Sequence, residues 1–227
     1  MTRFWLIRHG EPVEQARQRC YGSLDIGLSE EGRAQMARVA EYLATEPVAA
    51  IYASPLSRAA DSARILAAHA SCPVEVVADL REVNFGGFEG LTYDEIAARD
   101  PELFRQWMET PTEVRFPDGE SFSEMRTRVL DAFARILRER QGQTVAMVSH
   151  GGVNRILLAW ALQMPDRCLF RLAQDYAALN LLTFAEGLPD AGLPMVQLLN
   201  HCPSIPSPPP PVRQGLKVRL RARLDVK

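Results

Sequence analysis

Two short apolar runs in this chain end in the same way, on a histidine followed by glycine. One is Phe4-Trp5-Leu6-Ile7-Arg8-His9-Gly10, and the other is Val145-Ala146-Met147-Val148-Ser149-His150-Gly151-Gly152. A brief run of β-branched, aromatic and other apolar residues cut off by glycine reads as a buried strand of a parallel sheet. In open α/β sheets, ligands bind just beyond the carboxyl ends of the strands. Both imidazoles are therefore expected at one rim, with Arg8 beside them. Two histidines and an arginine at one rim suit an anion, above all a phosphate, whose oxygens match the planar guanidinium fork.

The rest of the chain alternates between strand and helix patterns. Further strands are expected at 49–53, 74–77, 179–184 and 195–199. Ser29 reads as an N-cap, with Glu30 and Glu31 in the first turn of a helix running to Leu43. Residues 58–70 are alanine-rich and helical. Thr92 with Glu95, and Ser121 with Glu124, have the spacing of capping boxes, the second opening a long amphipathic helix through Val129, Phe133, Ile136 and Leu137. Another helix covers 153–162. This order predicts an α/β fold, a three-layer α/β/α sandwich around a mainly parallel sheet.

The 227 residues suffice for one such domain. No apolar run approaches the roughly 20 residues that span a bilayer, and no secretory signal pattern opens the chain. Cys20, Cys72, Cys168 and Cys202 form no C-x-x-C pair, and the chain has four histidines, so a zinc site is not expected. Free thiols in a reducing cytoplasm fit this cysteine usage, and a cytoplasmic location is expected. Residues 203–227 form a separate extension, proline-rich and then basic, read as solvated and flexible. The remaining body, 1–202, is acidic, with 20 basic residues against 27 acidic ones. That balance argues against a nucleic-acid partner. The expected partner is a small phosphate-bearing molecule, without a membrane contact; a homodimer is left open.

Four segments carry a resemblance to a known family. Leu6-Ile7-Arg8-His9-Gly10-Glu11, Ser54-Pro55-Leu56-Ser57-Arg58-Ala59, Leu80-Arg81-Glu82 through Gly90, and Ser149-His150-Gly151-Gly152 occur in the order seen in the histidine phosphatase superfamily, also called phosphoglycerate mutase-like proteins. The resemblance implies the phosphoglycerate mutase-like fold, with one antiparallel edge strand. It implies no metal and no cofactor, because arginines and histidines supply the positive charge.

The resemblance also implies roles. His9 is the expected nucleophile, forming a phosphohistidine, with one ring nitrogen pinned as a donor and the other free. Arg8 and Arg58 are expected to clamp the phosphoryl oxygens, and His150 to stabilise the group in transfer as a cation or donor. Glu82 is expected to act as general acid and then base, with Glu11, Glu89 and Asp79 as competitors. Arg8, Gln15, Tyr21, Gly22, Arg58, Glu82, His150 and Gly151 make up the expected substrate-binding set. Gln15 stands where the family often has asparagine, and Pro12 where it often has threonine. Arg19 through Ser29, and Phe116-Pro117-Asp118-Gly119-Glu120-Ser121, are similar to α-ribazole phosphatases, which act in cobalamin assembly. The expected activity is thus a metal-independent phosphatase, with α-ribazole 5′-phosphate as the candidate substrate. A phosphoglycerate mutase-type isomerase, a broad sugar-phosphate phosphatase and a catalytically quiet phosphate-binding protein are the alternatives.

Overall fold

The computed structural model describes residues 1–16, 18–185 and 192–203. The expected tail therefore lies outside the described residues from 204 onward, as does the side chain of Gln15. Six strands form one sheet: β1 (Thr2–Arg8), β2 (Val48–Ala53), β3 (Val74–Val76), β4 (Thr144–Ser149), β5 (Leu179–Phe184) and β6 (Met195–His201), in the order β3-β2-β4-β1-β5-β6. β1 pairs parallel with β4, and β4 and β3 pair parallel with β2. β5 is antiparallel to both β1 and β6. The reversed strand is thus next to the edge, not at it as the resemblance implied. β6 at the edge runs in the same sense as β1.

Helices cover both faces. On β1, Phe4 and Leu6 join a core cluster with residues of α5 (Phe122–Glu139) and α6 (Gly151–Ala161). Trp5 and Ile7 point the other way, into a cluster with α1 (Glu30–Tyr42) and α2 (Ser57–Ala70). Successive side chains of a strand alternate between faces, so a strand buried on both sides reads as an unbroken apolar run. Ser29 caps α1 by accepting the Gly32 N–H at 3.0 Å. Both capping boxes are closed, at Thr92 for α3 (Tyr93–Arg99) and at Ser121 for α5.

One helix, α4 (Pro101–Glu109), lies in a stretch where the strand and helix patterns above predict none. Its start is chemically explicit: Asp100 accepts the Leu103 N–H at 3.0 Å, and Pro101 fills the first position, where no N–H is needed. α4 delivers Trp107 to a third cluster with Cys20, Phe88, Ile96, Val114 and Phe116. That cluster forms a roof over the strand ends. Cys20, Cys72 and Cys168 are free thiols. Among the described residues, no helix is long and apolar enough to cross a membrane.

Candidate active site

The β1–β4 pairing sets Arg8 beside Ser149, so the residues after them leave the sheet together. His9 N–H donates to the Ser149 carbonyl at 3.0 Å, and the two imidazoles meet edge to face, ring centroids 5.1 Å apart. Both rings are buried.

His9 Nδ1 lies 2.7 Å from the Gly10 carbonyl oxygen. A carbonyl only accepts, so Nδ1 carries the hydrogen and Nε2 keeps its lone pair. Burial, then Arg8 and Arg58, push this imidazole well below its ordinary pKa, against the pull of the Gly10 hydrogen bond. The ring is neutral at pH 7.

His150 is neutral too: burial, then Arg58, His9, Arg8 and Arg128, hold its pKa well below the ordinary value. These surroundings favour the uncharged ring. Its Nε2 lies 2.7 Å from Ser54 Oγ, and that oxygen already accepts the Leu56 N–H at 3.3 Å. Ser54 Oγ has both a hydroxyl hydrogen and a second lone pair, so it pairs with Nε2 in either ring tautomer. Nδ1 is buried and has no hydrogen-bond partner among the described residues.

Arg8 Nη1 donates to the Gln174 carbonyl at 2.5 Å, and its guanidinium lies 4.1 Å from the centre of the Tyr176 ring. Arg58 is fully buried on the first turn of α2, where its Nη1 and Nη2 donate to the Leu24 and Gly22 carbonyls at 2.8 and 2.5 Å. The Arg58 side chain thus ties down the 22–24 loop as well as facing the site. On both arginines Nε is buried and has no hydrogen-bond partner among the described residues. Neighbouring Arg64, by contrast, is an exposed surface residue paired with Asp61.

Glu82 is the only carboxylate lining the cavity among the described residues. Its Oε2 accepts the Gly152 N–H at 2.9 Å and its Oε1 the Val83 N–H at 3.0 Å. A side-chain carbon on Gly152 would sit 2.3 Å from Oε1, so glycine there lets the carboxylate approach α6. Glu89, one competitor, is committed to the Ser23 and Phe85 backbone amides. Glu11 and Asp79 lie off the cavity, and Asp79 faces Arg81 at 3.9 Å.

Of the other expected residues, Tyr21 lies under Arg58, 4.9 Å from ring centre to guanidinium, and its hydroxyl meets that of Tyr176 at 3.1 Å. Gly22 is packed so closely that a Cβ would fall 2.1 Å from the Val83 carbonyl oxygen. Gly151 sits where Arg8 and Arg155 converge. Arg8, His9, Tyr21, Gly22, Arg58 and Glu82 line a cavity of about 250 Å³ whose outer wall is largely aromatic, including Phe85, Tyr93, Trp107, Phe116, Phe122 and Phe170, whereas His150 and Gly151 are not among its lining residues.

Sequence reasoning missed Arg155 and Tyr176. Arg155 lines the cavity, where burial and then Arg8 bring its pKa down to about 10. It lies four residues after Gly151, one helical turn on, and that spacing is a usable signal. Tyr176 is 5.7 Å from His9, ring to ring, and no local pattern marks it.

The histidine phosphatase superfamily (branch 1) matches residues 4–193. A bifunctional protein of Mycobacterium tuberculosis is 40% identical over 188 residues, which is 82% of this chain and 51% of that protein. The chain spans about half the length of the mycobacterial relatives it matches. The metal-independent phosphoserine phosphatase of Arabidopsis thaliana is 36% identical over 161 residues, covering 69% of this chain and 67% of that one. Among solved structures, the mycobacterial glucosyl-3-phosphoglycerate phosphatase superposes with a TM-score of 0.79 at 28% identity, over 87% of this chain and 98% of the other.

Proposed function

The chain belongs to the histidine phosphatase superfamily, and from that premise we propose that it hydrolyses a phosphomonoester through a phosphohistidine on His9, without a metal ion. The observation that carries this reading is the state of His9. Its ring is neutral, its Nδ1–H is fixed on Gly10, and its Nε2 lone pair shares the site with three buried nitrogens that have no hydrogen-bond partner among the described residues: Arg8 Nε, Arg58 Nε and His150 Nδ1. With the His150 ring hydrogen on Nδ1, all three are donors that suit phosphoryl oxygens, and the protein holds them in place before substrate arrives.

In the first step Nε2 attacks phosphorus, the P–O ester bond breaks, and the Glu82 carboxyl gives its proton to the departing alkoxide. In the second step the Glu82 carboxylate takes a proton from water. The water oxygen attacks phosphorus, the P–N bond breaks, and inorganic phosphate leaves with His9 restored.

The aromatic wall favours a leaving group with a flat, apolar body, which supports α-ribazole 5′-phosphate as substrate alongside the similarity at 19–29 and 116–121. Arg155, with no ion pair among the described residues, favours a second reading in which the leaving group bears a carboxylate, as phosphoserine does. The test is phosphate release in EDTA from α-ribazole 5′-phosphate, phosphoserine and 3-phosphoglycerate, with His9→Ala as control and acid-quench trapping of the labelled enzyme. Release that requires His9, with label on the protein, supports the mechanism, and the ranking of the esters identifies the leaving group. Label kept within the organic product instead of released as phosphate would convert the reading to an isomerase. Label that never reaches the protein would overturn the phosphohistidine.

A further inference from the structure

Arg128, on α5, uses all five of its guanidinium hydrogens within the protein. Nε and Nη2 grip the Glu120 carboxylate at 2.6 and 2.7 Å. Nη1 donates to the Asp79 and Arg81 carbonyls at 2.6 and 2.8 Å, and Nη2 to the Glu82 carbonyl at 3.2 Å. Glu120 in turn holds the far end of the same segment: its N–H donates to the Asn84 carbonyl at 2.9 Å, and its Oε2 accepts the Asn84 N–H at 3.4 Å. Both side chains are nearly buried, and neither lines the cavity.

A guanidinium with no hydrogen to spare is not a substrate ligand. What it does hold is the backbone from which Glu82 reaches into the site. Three grips on carbonyls 79, 81 and 82, with the Asn84 contacts beyond, leave the Glu82 Cα little freedom. The two amides that receive its carboxylate, those of Val83 and Gly152, then fix the side chain. A proton donor must be held to within a fraction of an ångström of its target to be effective.

We propose that the Glu120–Arg128 ion pair is the device that aims Glu82 at the leaving-group oxygen, which makes Arg128 a positioning residue for proton transfer. The proposal rests on the reading of Glu82 as general acid. It also gives Glu120 a physical role within the 116–121 segment, because that segment delivers the carboxylate that orients Arg128.

The experiment compares first-turnover release of two leaving groups. 4-Nitrophenyl phosphate departs as a stable phenolate and needs no proton. 2-Phenylethyl phosphate departs as an alkoxide and does. Arg128→Lys keeps the positive charge but has three donors in place of five, and Glu120→Gln keeps the shape of its partner. Both variants, made in the full chain, are expected to slow first-turnover release of the alkyl ester on the order of 10²-fold, as loss of general acid catalysis does. Release of nitrophenolate should stay within about threefold of the parent, since that bond breaks without the proton. Glu82→Gln should show the same selective loss. Equal losses on both esters, or none on the alkyl ester, while Glu82→Gln remains selective, would overturn the positioning role alone. An unselective Glu82→Gln would remove the acid assignment and the proposal with it. Should Arg128→Lys fail to fold, Glu120→Gln decides the matter in the same two assays.

Discussion

Glu82 and Gly152 stand in direct contact, with the carboxylate Oε2 accepting the glycine N–H at 2.9 Å across 70 residues of sequence. The contact joins the loop after β3 to the first turn of α6, and it exists only because residue 152 has no side chain. Gly152→Ala would place a methyl carbon 2.3 Å from Oε1. The carboxylate must then swing away or the loop must shift. We expect kcat on an alkyl phosphate to fall on the order of 10²-fold, near the worth of a positioned proton donor. Gly27→Ala, where a Cβ meets nothing within 4 Å, is the matched control. Equal kinetics for the two variants would refute the contact's importance.

The two buried histidines make stability depend on pH in a defined direction. Each has its folded-state pKa pushed well below the ordinary value, first by burial and then by nearby cations. Below about pH 6.5 the unfolded chain takes up these protons while the folded chain does not. Their contribution is therefore intact above that pH and is lost as the pH falls, with a slope approaching about 1.4 kcal/mol per pH unit for each ring. Denaturant melts at pH 7.5, 6.5 and 5.5 should show this slope flattened in a His9→Asn, His150→Asn double variant. A variant as steep as the parent would assign acid sensitivity to other groups.

Arg155 stands in the cavity, where it donates to the Leu172 carbonyl at 2.8 Å and contacts the Phe170 ring. A cation so placed attracts whatever anion enters. Arg155→Met should weaken competitive inhibition by orthovanadate about tenfold, the scale of one charge-assisted hydrogen bond. If the leaving group carries a carboxylate, KM for that ester rises more than KM for a neutral aryl phosphate. Unchanged vanadate inhibition would take Arg155 out of the anion site.

Trp107 makes ring contacts with Phe85, Phe88, Tyr93, Phe104 and Phe116, so the roof over the cavity is organised around one indole. Trp107→Ala should cost about 3–5 kcal/mol if the roof melts with the rest of the domain. A Tm nearly unchanged, with lost selectivity among esters, would instead make the roof a separately folding unit.

The parts of this molecule legible in the sequence are those written in local chemistry. His9 and His150 end apolar runs and so mark strand ends. Ser29, Thr92 and Ser121 cap helices through contacts three residues away. Arg8, Arg58 and Glu82 sit in short segments whose order carries the family resemblance, and the fold brings all of them to one rim. The hidden parts depend on pairing over long distances. Arg58 reads as a phosphate clamp, but that it also holds the Gly22 and Leu24 carbonyls depends on a loop more than 30 residues away. Nothing near Tyr176 in sequence indicates that its ring will lie against Arg8. α4 carries its cap and proline in plain view at Asp100 and Pro101. Its apolar positions, Leu103, Phe104, Trp107 and Met108, have helical spacing, but the element is too short for that period to stand out.

The reversed direction of β5 has a consequence for where this site can draw its residues. A strand parallel to β1 would begin at the far rim and contribute to the site only through residues beyond its end. β5 begins at the near rim, since Leu179 pairs with Ile7. The segment that feeds it is thereby stitched to the first histidine strand, with Ala177 N–H donating to the His9 carbonyl at 3.1 Å and Arg8 N–H to the Ala178 carbonyl at 3.0 Å. Gln174 and Tyr176 reach Arg8 from that upstream segment. One strand turned end for end thus opens a second supply line into the pocket, so that evolution can vary its wall from residues ahead of a strand while the catalytic histidines, placed behind theirs, stay where they are.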